Sequence, residues 1–233
     1  SDVDLASTLH SQLRLGSVPW VRERKVVDVS LGSLAMLVLL RTLHVNLVEW
    51  RDAYVSTNCI AALSNFSKTL VGAHQALAQR LVNVVLLVAR LLQRSSTAYA
   101  KAVMPTVQDE KLATAMLTAS ASYATLLQQL LGIVRSALRP DALEHNLHIL
   151  YALLYRQEQL KAVKAVLDNE PPPELPEDIP CSVREVRWDA AAQALQDLMP
   201  LVQHCSERVT AAAHEHEDEG HGSLGEAGCA GNS

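Results

Sequence analysis

The stretch VSTNCIAALSNFSKTL, residues 55–70, repeats its apolar side chains with the period of an α-helix. The apolar residues share one helical face and are Val55, Cys59, Leu63, Phe66 and Leu70. Their spacing follows the three- and four-residue steps of a helix, and the polar residues between them fall on the opposite side. The pattern predicts an amphipathic helix over 54–70 that packs through a single apolar stripe.

The same period recurs along the rest of the chain, without a sustained alternating pattern that would indicate β-strands. The predicted helices cover 3–15, 20–50, 54–70, 74–94, 110–138, 142–167 and 182–212. The helix over 20–50 has almost no polar face through its centre, so we expect it to be covered on several sides and to lie centrally. The sequence therefore predicts an all-α fold.

Short connections between consecutive helices indicate antiparallel neighbours. Two architectures fit: an armadillo/HEAT-like α-solenoid, or an irregular helical bundle of antiparallel helix pairs. The predicted organisation is a helical-repeat domain over 1–168, a Pro-rich acidic linker or loop over 169–181, a C-terminal helical segment over 182–213, and a disordered His/acidic tail over 214–233. Five prolines argue against helix within the linker, and the tail has almost no apolar content.

Composition excludes several classes of function. The net charge is −5 and basic residues are dispersed, so nucleic acid is not expected as a partner. The four cysteines are widely separated, which favours a reducing compartment over a disulfide framework. The apolar run over 30–40 is shorter than the roughly 20 residues needed to cross a bilayer, so we expect a buried helix there.

Candidate chemistry is sparse. Cys59 could act as a nucleophile only beside a histidine, and its place on the apolar stripe favours core packing. His214, His216 and His221 lie among acidic residues, but in a Gly-rich tail that lacks a folded shell to hold a metal. No phosphate-binding loop, nucleophile elbow or zinc-protease motif is present in the sequence. We therefore predict no catalytic, cofactor or metal site and no small-molecule substrate; an enzyme that uses Cys59 or histidines in a helical pocket is the alternative.

Two asparagines stand out in the opening stretch. Asn58 and Asn65 are two helical turns apart and project from the same side, with Lys68 nearby. Exposed amides on the inner face of a solenoid can bond the backbone of an extended peptide. The alternative is that these amides cap or bridge neighbouring helices, as semi-buried amides usually do. Asn58, Asn65 and Lys68 are the candidate partner-facing residues.

Several motifs carry a resemblance to a known family. VVDVSLGSLAMLVLLRTL (26–43), RDAYVSTNCIAALSNFS (51–67), AHQALAQRLVNVV (73–85) and LHILYALLYRQEQL (147–160) follow one another in this order. The span from Trp20 to Leu167 thereby resembles the C-terminal region of the dymeclin family, as a divergent or truncated member. CIAALSNFS is also similar to the third helix of armadillo repeats, in which the asparagine matching Asn65 lines the peptide groove.

The dymeclin resemblance implies a cytoplasmic, all-helical protein peripheral to the Golgi apparatus. It implies a non-enzymatic scaffold or adaptor that supports Golgi organisation and vesicle trafficking through contacts with other proteins. Family members start with a myristoylation-type Met-Gly sequence, whereas this chain starts SDVDLA, so we expect a fragment or truncated member. A peripheral membrane-binding helical module is a further alternative, disfavoured because the most apolar helix lacks a basic face.

Overall fold

The computed structural model describes residues 8–13, 28–102, 110–169, 183 and 188–222, and every structural statement below concerns these residues. They form seven α-helices: α1 Leu31–Val45, α2 Ala53–Ser67, α3 Gln75–Ala102, α4 Glu110–Ala137, α5 Leu147–Tyr155, α6 Gln157–Asn169 and α7 Trp188–Gly222. A π-helical turn over Asn46–Trp50 follows α1, and a 3₁₀ turn over Leu143–His145 precedes α5. Strands β1 Gln12–Leu13 and β2 Val29–Ser30 form one antiparallel pair.

The helices stack in two layers. α1 pairs with α2, α3 pairs with α4, and the α5–α6 segment pairs with α7. Within one layer α1, α3 and α5–α6 lie side by side, and within the other α2, α4 and α7 do so. Each pair thus packs mainly on the next pair, which is the arrangement of an α-solenoid. The all-α prediction is confirmed, and of the two architectures left open the solenoid of helix pairs describes the packing better.

The central helix is α3, not the helix predicted over 20–50. α3 packs against α1, α4, α5 and α6, whereas α1 packs mainly on α2 and α3. On its outer side α1 leaves Val38 42% exposed, although its sequence is apolar almost all round. The sequence pattern alone could not show this, because an apolar helix at the end of a stack looks the same as one in the middle.

The beginning of the described chain also differs from the prediction. Thr8 and Leu9 are helical, but Gln12 and Leu13 are strand residues paired with Ser30 and Val29, so the helix predicted over 3–15 does not continue past the turn at His10. α1 begins only at Leu31, after Asp28 with a φ of 56°. Residues 14–27 lie outside the described residues.

Gly32 allows the amino-terminal segment to lie close to α1. A Cβ atom at this position would lie 3.2 Å from the backbone carbonyl oxygen of Leu9. Ser30 caps α1 at the same place, because its Oγ accepts a hydrogen bond from the N–H of Ser33 at 3.2 Å. The close approach and the cap together fix where the strand ends and the helix begins.

The segment predicted as one helix over 142–167 is broken at Arg156. The backbone N–H of Arg156 bonds the carbonyl of Leu153 at 3.0 Å in a tight turn, and α6 begins at the next residue. At the other end of the chain α7 continues through Pro200 to Gly222, past residue 213 where disorder was predicted to start. The linker segment 170–182 and residues 223–233 lie outside the described residues, and the domain boundaries stay a prediction.

The core is built from aliphatic side chains. One contiguous cluster joins all seven helices. Its largest fully buried members are Met36, Leu40, Leu43, Leu63, Leu77, Leu81, Leu127, Leu130, Ile133, Ile149, Leu153 and Leu160. No aromatic residue belongs to this set in the described chain.

Two described segments are long and apolar enough to cross a bilayer, judged by length and composition: Leu31–Trp50 and Gln75–Ala102. The first covers residues 31–40 of the apolar run and continues through the rest of α1 and the π-helical turn. More than half of the apolar window in α3 is buried inside the protein. Since a core helix has this same composition, we interpret both segments as helices of the stack.

Candidate functional site

The three residues predicted to face a partner lie on the exposed side of α2. Asn58, Asn65 and Lys68 are all exposed. The Nδ2 of Asn58 donates to the carbonyl of Tyr54 at 2.9 Å, and the Nζ of Lys68 donates to the Oδ1 of Asn65 at 3.4 Å. These contacts stay within α2, so neither asparagine caps or bridges a neighbouring helix. The surface is available for a partner, and its role stays a prediction.

Cys59 lies in the hydrophobic core. Its side chain is only 6% exposed and belongs to the main core cluster. Burial raises the pKa of the Cys59 thiol. A raised pKa keeps the sulfur as a thiol, which is a weak nucleophile. The geometry therefore favours core packing over catalysis for this residue.

The histidines of the described residues are possible metal ligands by residue type. No group of three or more potential metal ligands occurs there. Of the tail histidines, His214, His216 and His221 lie within the helix α7, but their side chains are outside the described part of the structure. Burial and, secondarily, the charge of Arg80 lower the pKa of His44.

His74 acts as a cap of α3. Its Nδ1 accepts a hydrogen bond from the backbone N–H of Ala76 at 3.1 Å. Burial lowers the pKa of His74, and the charge of His148 lowers it further. Both effects keep the imidazole neutral, which the accepting role of Nδ1 requires.

Two buried asparagines, which the sequence pattern did not single out, hold the helix connections. Asn46, 0% exposed, closes the corner between α1 and α2. Its Nδ2 donates to the carbonyl of Asp52 and to the Oγ of Ser56, both at 2.8 Å, and its Oδ1 accepts from the N–H of Asp52 at 3.1 Å. Every hydrogen-bonding direction but one of this amide is therefore used inside the protein.

Asn146, also 0% exposed, bonds the α2–α3 loop, more than 70 residues away, and the end of α4, nine residues away. Its Nδ2 donates to the carbonyls of Leu70 at 2.9 Å and Ala137 at 2.7 Å. Its Oδ1 accepts from the backbone N–H of Ala73 at 2.9 Å. We call this set of three bonds the Asn146 clamp. It ties the α2–α3 loop and the end of α4 to the start of α5.

The clamp also sets how α3 and α5 lie beside each other. Because Asn146 immediately precedes α5 and Ala73 lies just before α3, the two helices start at the same edge of the stack. His148 lies close enough to His74 to lower the pKa of the His74 imidazole. The two helices then run alongside each other in the same direction.

A groove runs between α3 and α5, on the outer side of the layer that α1, α3 and α5–α6 form. Its volume is about 520 Å³, within the range of ordinary binding sites. It is lined by Gln75, Gln79, Val82, Asn83, His148, Tyr151, Ala152, Tyr155 and Arg156. Arg156 is the one permanently charged lining residue, and the lining contains no carboxylate. The groove is open and amphipathic, a shape suited to a chain segment that lies along it.

The α3 wall of the groove carries an amide row, which we define as Gln75, Gln79 and Asn83. All three side chains are exposed and four residues apart, so they project from one face of the helix. Among the described residues, no hydrogen bond involves these side-chain amides. Their donors and acceptors are open to solvent or to a ligand.

The opposite wall carries a tyrosine row, Tyr151 and Tyr155, on α5. These side chains are 58% and 84% exposed. The guanidinium of Arg156 lies 5.4 Å from the centre of the Tyr155 ring. Such stacking holds the guanidinium against the ring face while its N–H groups stay free to bond an anion. The four-residue spacings of both rows are visible in the sequence, but only the fold shows that they face one groove.

Comparison with known proteins gives one family. A family model described as "Dymeclin: Dyggve-Melchior-Clausen syndrome protein" matches residues 1–226. Dymeclin of Xenopus laevis is 32% identical over 145 residues, 62% of this chain and 22% of that protein. Dymeclin of Rattus norvegicus is 30% identical over 145 residues, 62% of this chain and 21% of that protein.

Another relative matches a shorter part of the chain at higher sequence identity. Dymeclin of Dictyostelium discoideum is 40% identical over 77 residues, which is 33% of this chain and 8% of that protein. The alignments with the two vertebrate relatives span only about a fifth of those proteins. No solved structure matches the chain.

Proposed function

The chain belongs to the dymeclin family, and on this premise we propose that it is a non-enzymatic helical scaffold or adaptor that supports Golgi organisation and intracellular vesicle trafficking by binding other proteins. The dymeclin family is not a known enzyme family. In this proposal the chain works in the cytoplasm, peripheral to the Golgi apparatus. Its partners are proteins, not nucleic acids or small-molecule substrates.

The observation that carries the proposal is the placement of the aromatic side chains. Of the seven whose exposure the structure describes, four are more than half exposed: Trp50 at 67%, Tyr54 at 78%, Tyr151 at 58% and Tyr155 at 84%. The core is filled by aliphatic residues instead. Exposed Trp and Tyr side chains are enriched where proteins bind one another, since they bury large areas at small entropic cost.

The four exposed aromatic residues form two pairs on different elements. Trp50 and Tyr54 flank the corner between α1 and α2, and Tyr151 and Tyr155 lie on α5. A stack that presents aromatic side chains from different elements can contact more than one protein at once. This is the property that a scaffold or adaptor needs.

The test is capture of partners from cytosol and from a Golgi-enriched membrane fraction by the cross-linked, purified chain. We expect Golgi marker proteins to be enriched over mitochondrial markers. The double variants Trp50→Ala/Tyr54→Ala and Tyr151→Ala/Tyr155→Ala should each lose a part of the captured set. Val209→Ser serves as the matched control, because Val209 is an exposed apolar residue on α7.

Circular dichroism and thermal melting establish that each variant is folded. Equal capture of Golgi and mitochondrial markers would contradict the Golgi role. Unchanged capture by both folded double variants would contradict binding through the exposed aromatic residues.

A further inference from the structure

We propose that the α3–α5 groove binds a short extended segment of a partner protein, and that this segment carries an Asp or Glu side chain next to Arg156. The inference rests on the proposed protein-binding function and deepens it. It names the site and the chemistry of the segment that would occupy it.

The spacing of the amide row fits an extended backbone. Residues four apart on a helix are displaced by about 6 Å along its axis. Every second residue of an extended strand is displaced by about 6.6 Å. Gln75, Gln79 and Asn83 can therefore each meet an equivalent main-chain group of a strand-like peptide lying along α3. A side-chain amide both donates and accepts, so each one can bond a peptide N–H and a peptide C=O.

The tyrosine row accounts for the other side of the groove. Alternate side chains of an extended segment point in opposite directions, so those that turn away from α3 reach α5. There Tyr151 and Tyr155 offer exposed aromatic side chains, and Ala152 also lines the groove. The amide row spans about 12 Å from end to end. This length accommodates three to four residues of an extended peptide, at about 3.3 Å each.

The charge of the groove lining determines which kind of peptide segment it would bind. Since α3 and α5 start at the same edge and run in the same direction, Arg156, which follows α5, falls toward the Asn83 end of the groove. Its guanidinium has no salt-bridge partner in the described part of the chain. With no carboxylate in the lining, a ligand carboxylate would meet attraction from Arg156 and no repulsion from the walls. A carboxylate can bond a guanidinium through two parallel N–H groups, which fixes the register of the segment. The groove thus favours an acidic residue at one defined position.

The experiment probes an array of randomised synthetic decapeptides with the purified, fluorescently labelled chain. We expect a bound subset in which Asp or Glu is enriched several-fold at one position over the array average. Proline should be depleted in the same subset, because it lacks the N–H that the amide oxygens accept. Gln79→Ala should weaken binding about three- to tenfold, in line with the net value of one hydrogen bond.

Three further variants separate the contributions. Tyr155→Ala should weaken binding about tenfold or more, as removal of a central aromatic contact does. Arg156→Gln should abolish the acidic enrichment while other binding persists. Gln79→Glu retains helix propensity but places a negative charge in the groove, so it should weaken binding of acidic peptides in particular. The control Val209→Ser, an exposed site on α7 away from the groove, should bind as the unmodified chain does.

The inference is overturned if the array binds no peptide, if the bound peptides lack acidic enrichment, or if Gln79→Glu and Tyr155→Ala bind unchanged. Circular dichroism confirms that each variant is folded before it is scored. If peptide binding fails in this way while the chain still captures Golgi proteins, peptide binding by the groove is refuted and the scaffold function stands. Loss of both would refute the proposed function as well.

Discussion

The Asn146 clamp and the amide row use the same chemical group in opposite surroundings. Asn146 is fully buried, and three bonds to backbone groups occupy its amide. The amides of Gln75, Gln79 and Asn83 are exposed, and no hydrogen bond to them is found among the described residues. The contrast teaches that burial determines whether an amide in this stack holds helices together or stays open to a partner.

The comparison predicts its largest effect at the clamp itself. Asn146→Ala should lower the free energy of unfolding by about 3 kcal/mol or more, because three buried backbone groups would lose their partner at about 1–3 kcal/mol each. Urea unfolding followed by circular dichroism measures the change. Gln79→Ala is the matched control and should change the free energy by less than about 0.5 kcal/mol. If both variants lowered the free energy of unfolding by a similar amount, the proposed difference between buried and exposed amides would be wrong.

A second buried amide offers an independent check. Asn46→Ala should destabilise the chain by about 2 kcal/mol, less than the clamp variant, because its backbone partner lies in the adjoining corner next to solvent. A double-mutant cycle with Ser56→Ala isolates the bond between the Asn46 Nδ2 and the Ser56 Oγ. We expect a coupling free energy of about 1 kcal/mol. Strict additivity would mean that this bond contributes nothing.

We expect the cap of α3, beside the clamp, to weaken as the pH is lowered. The pKa of His74 is lowered by burial and by His148, so the unfolded chain takes up a proton at higher pH than the folded chain. Stability should therefore fall as the pH is lowered from 7.5 to 5.5. Urea midpoints across this range measure the slope.

His74→Asn supplies a cap that does not titrate and should flatten this slope. A residual slope is expected from His44, whose pKa is also lowered by burial and by Arg80. His10, which is exposed, gives the matched control as His10→Asn. A slope that His74→Asn leaves intact would show that the cap does not titrate as described.

The smallest effect on stability is expected on the exposed side of α2. Asn65→Ala should leave the melting temperature nearly unchanged, because the amide is exposed and contacts only Lys68. The same variant should capture less protein from cytosol if Asn58, Asn65 and Lys68 face a partner. A sharp drop in melting temperature with unchanged capture would make Asn65 a structural residue.

The spacing of apolar residues predicted most of the helices, because the residues of each apolar stripe lie within a single helix. The bounds of α2 and α4, Ala53–Ser67 and Glu110–Ala137, follow the expected 54–70 and 110–138 closely. The break at Arg156 was missed because apolar residues continue with helical spacing on both sides of it. The strand pair was missed because two residues are too few to show alternation.

The site was harder to predict than the fold. Two of the three partners of Asn146 are backbone groups at Leu70 and Ala73, more than 70 residues away, and the sequence carries no signal for such a pairing. The amide row and the tyrosine row are each visible as four-residue spacings. Their convergence in one groove depends on how α3 lies beside α5, which only the packing determines.

The central claim is that the Asn146 clamp holds the α2–α3 loop in place and so keeps the helix pairs in register. Hydrogen exchange at the backbone N–H of Ala73 tests it most directly, because Ala73 lies outside any helix and its bond to the Asn146 Oδ1 is its predicted protection. The structure predicts that this N–H exchanges nearly as slowly as the core of α3, through global unfolding. Exchange at the fast rate of an exposed loop would contradict the clamp and the stack built on it.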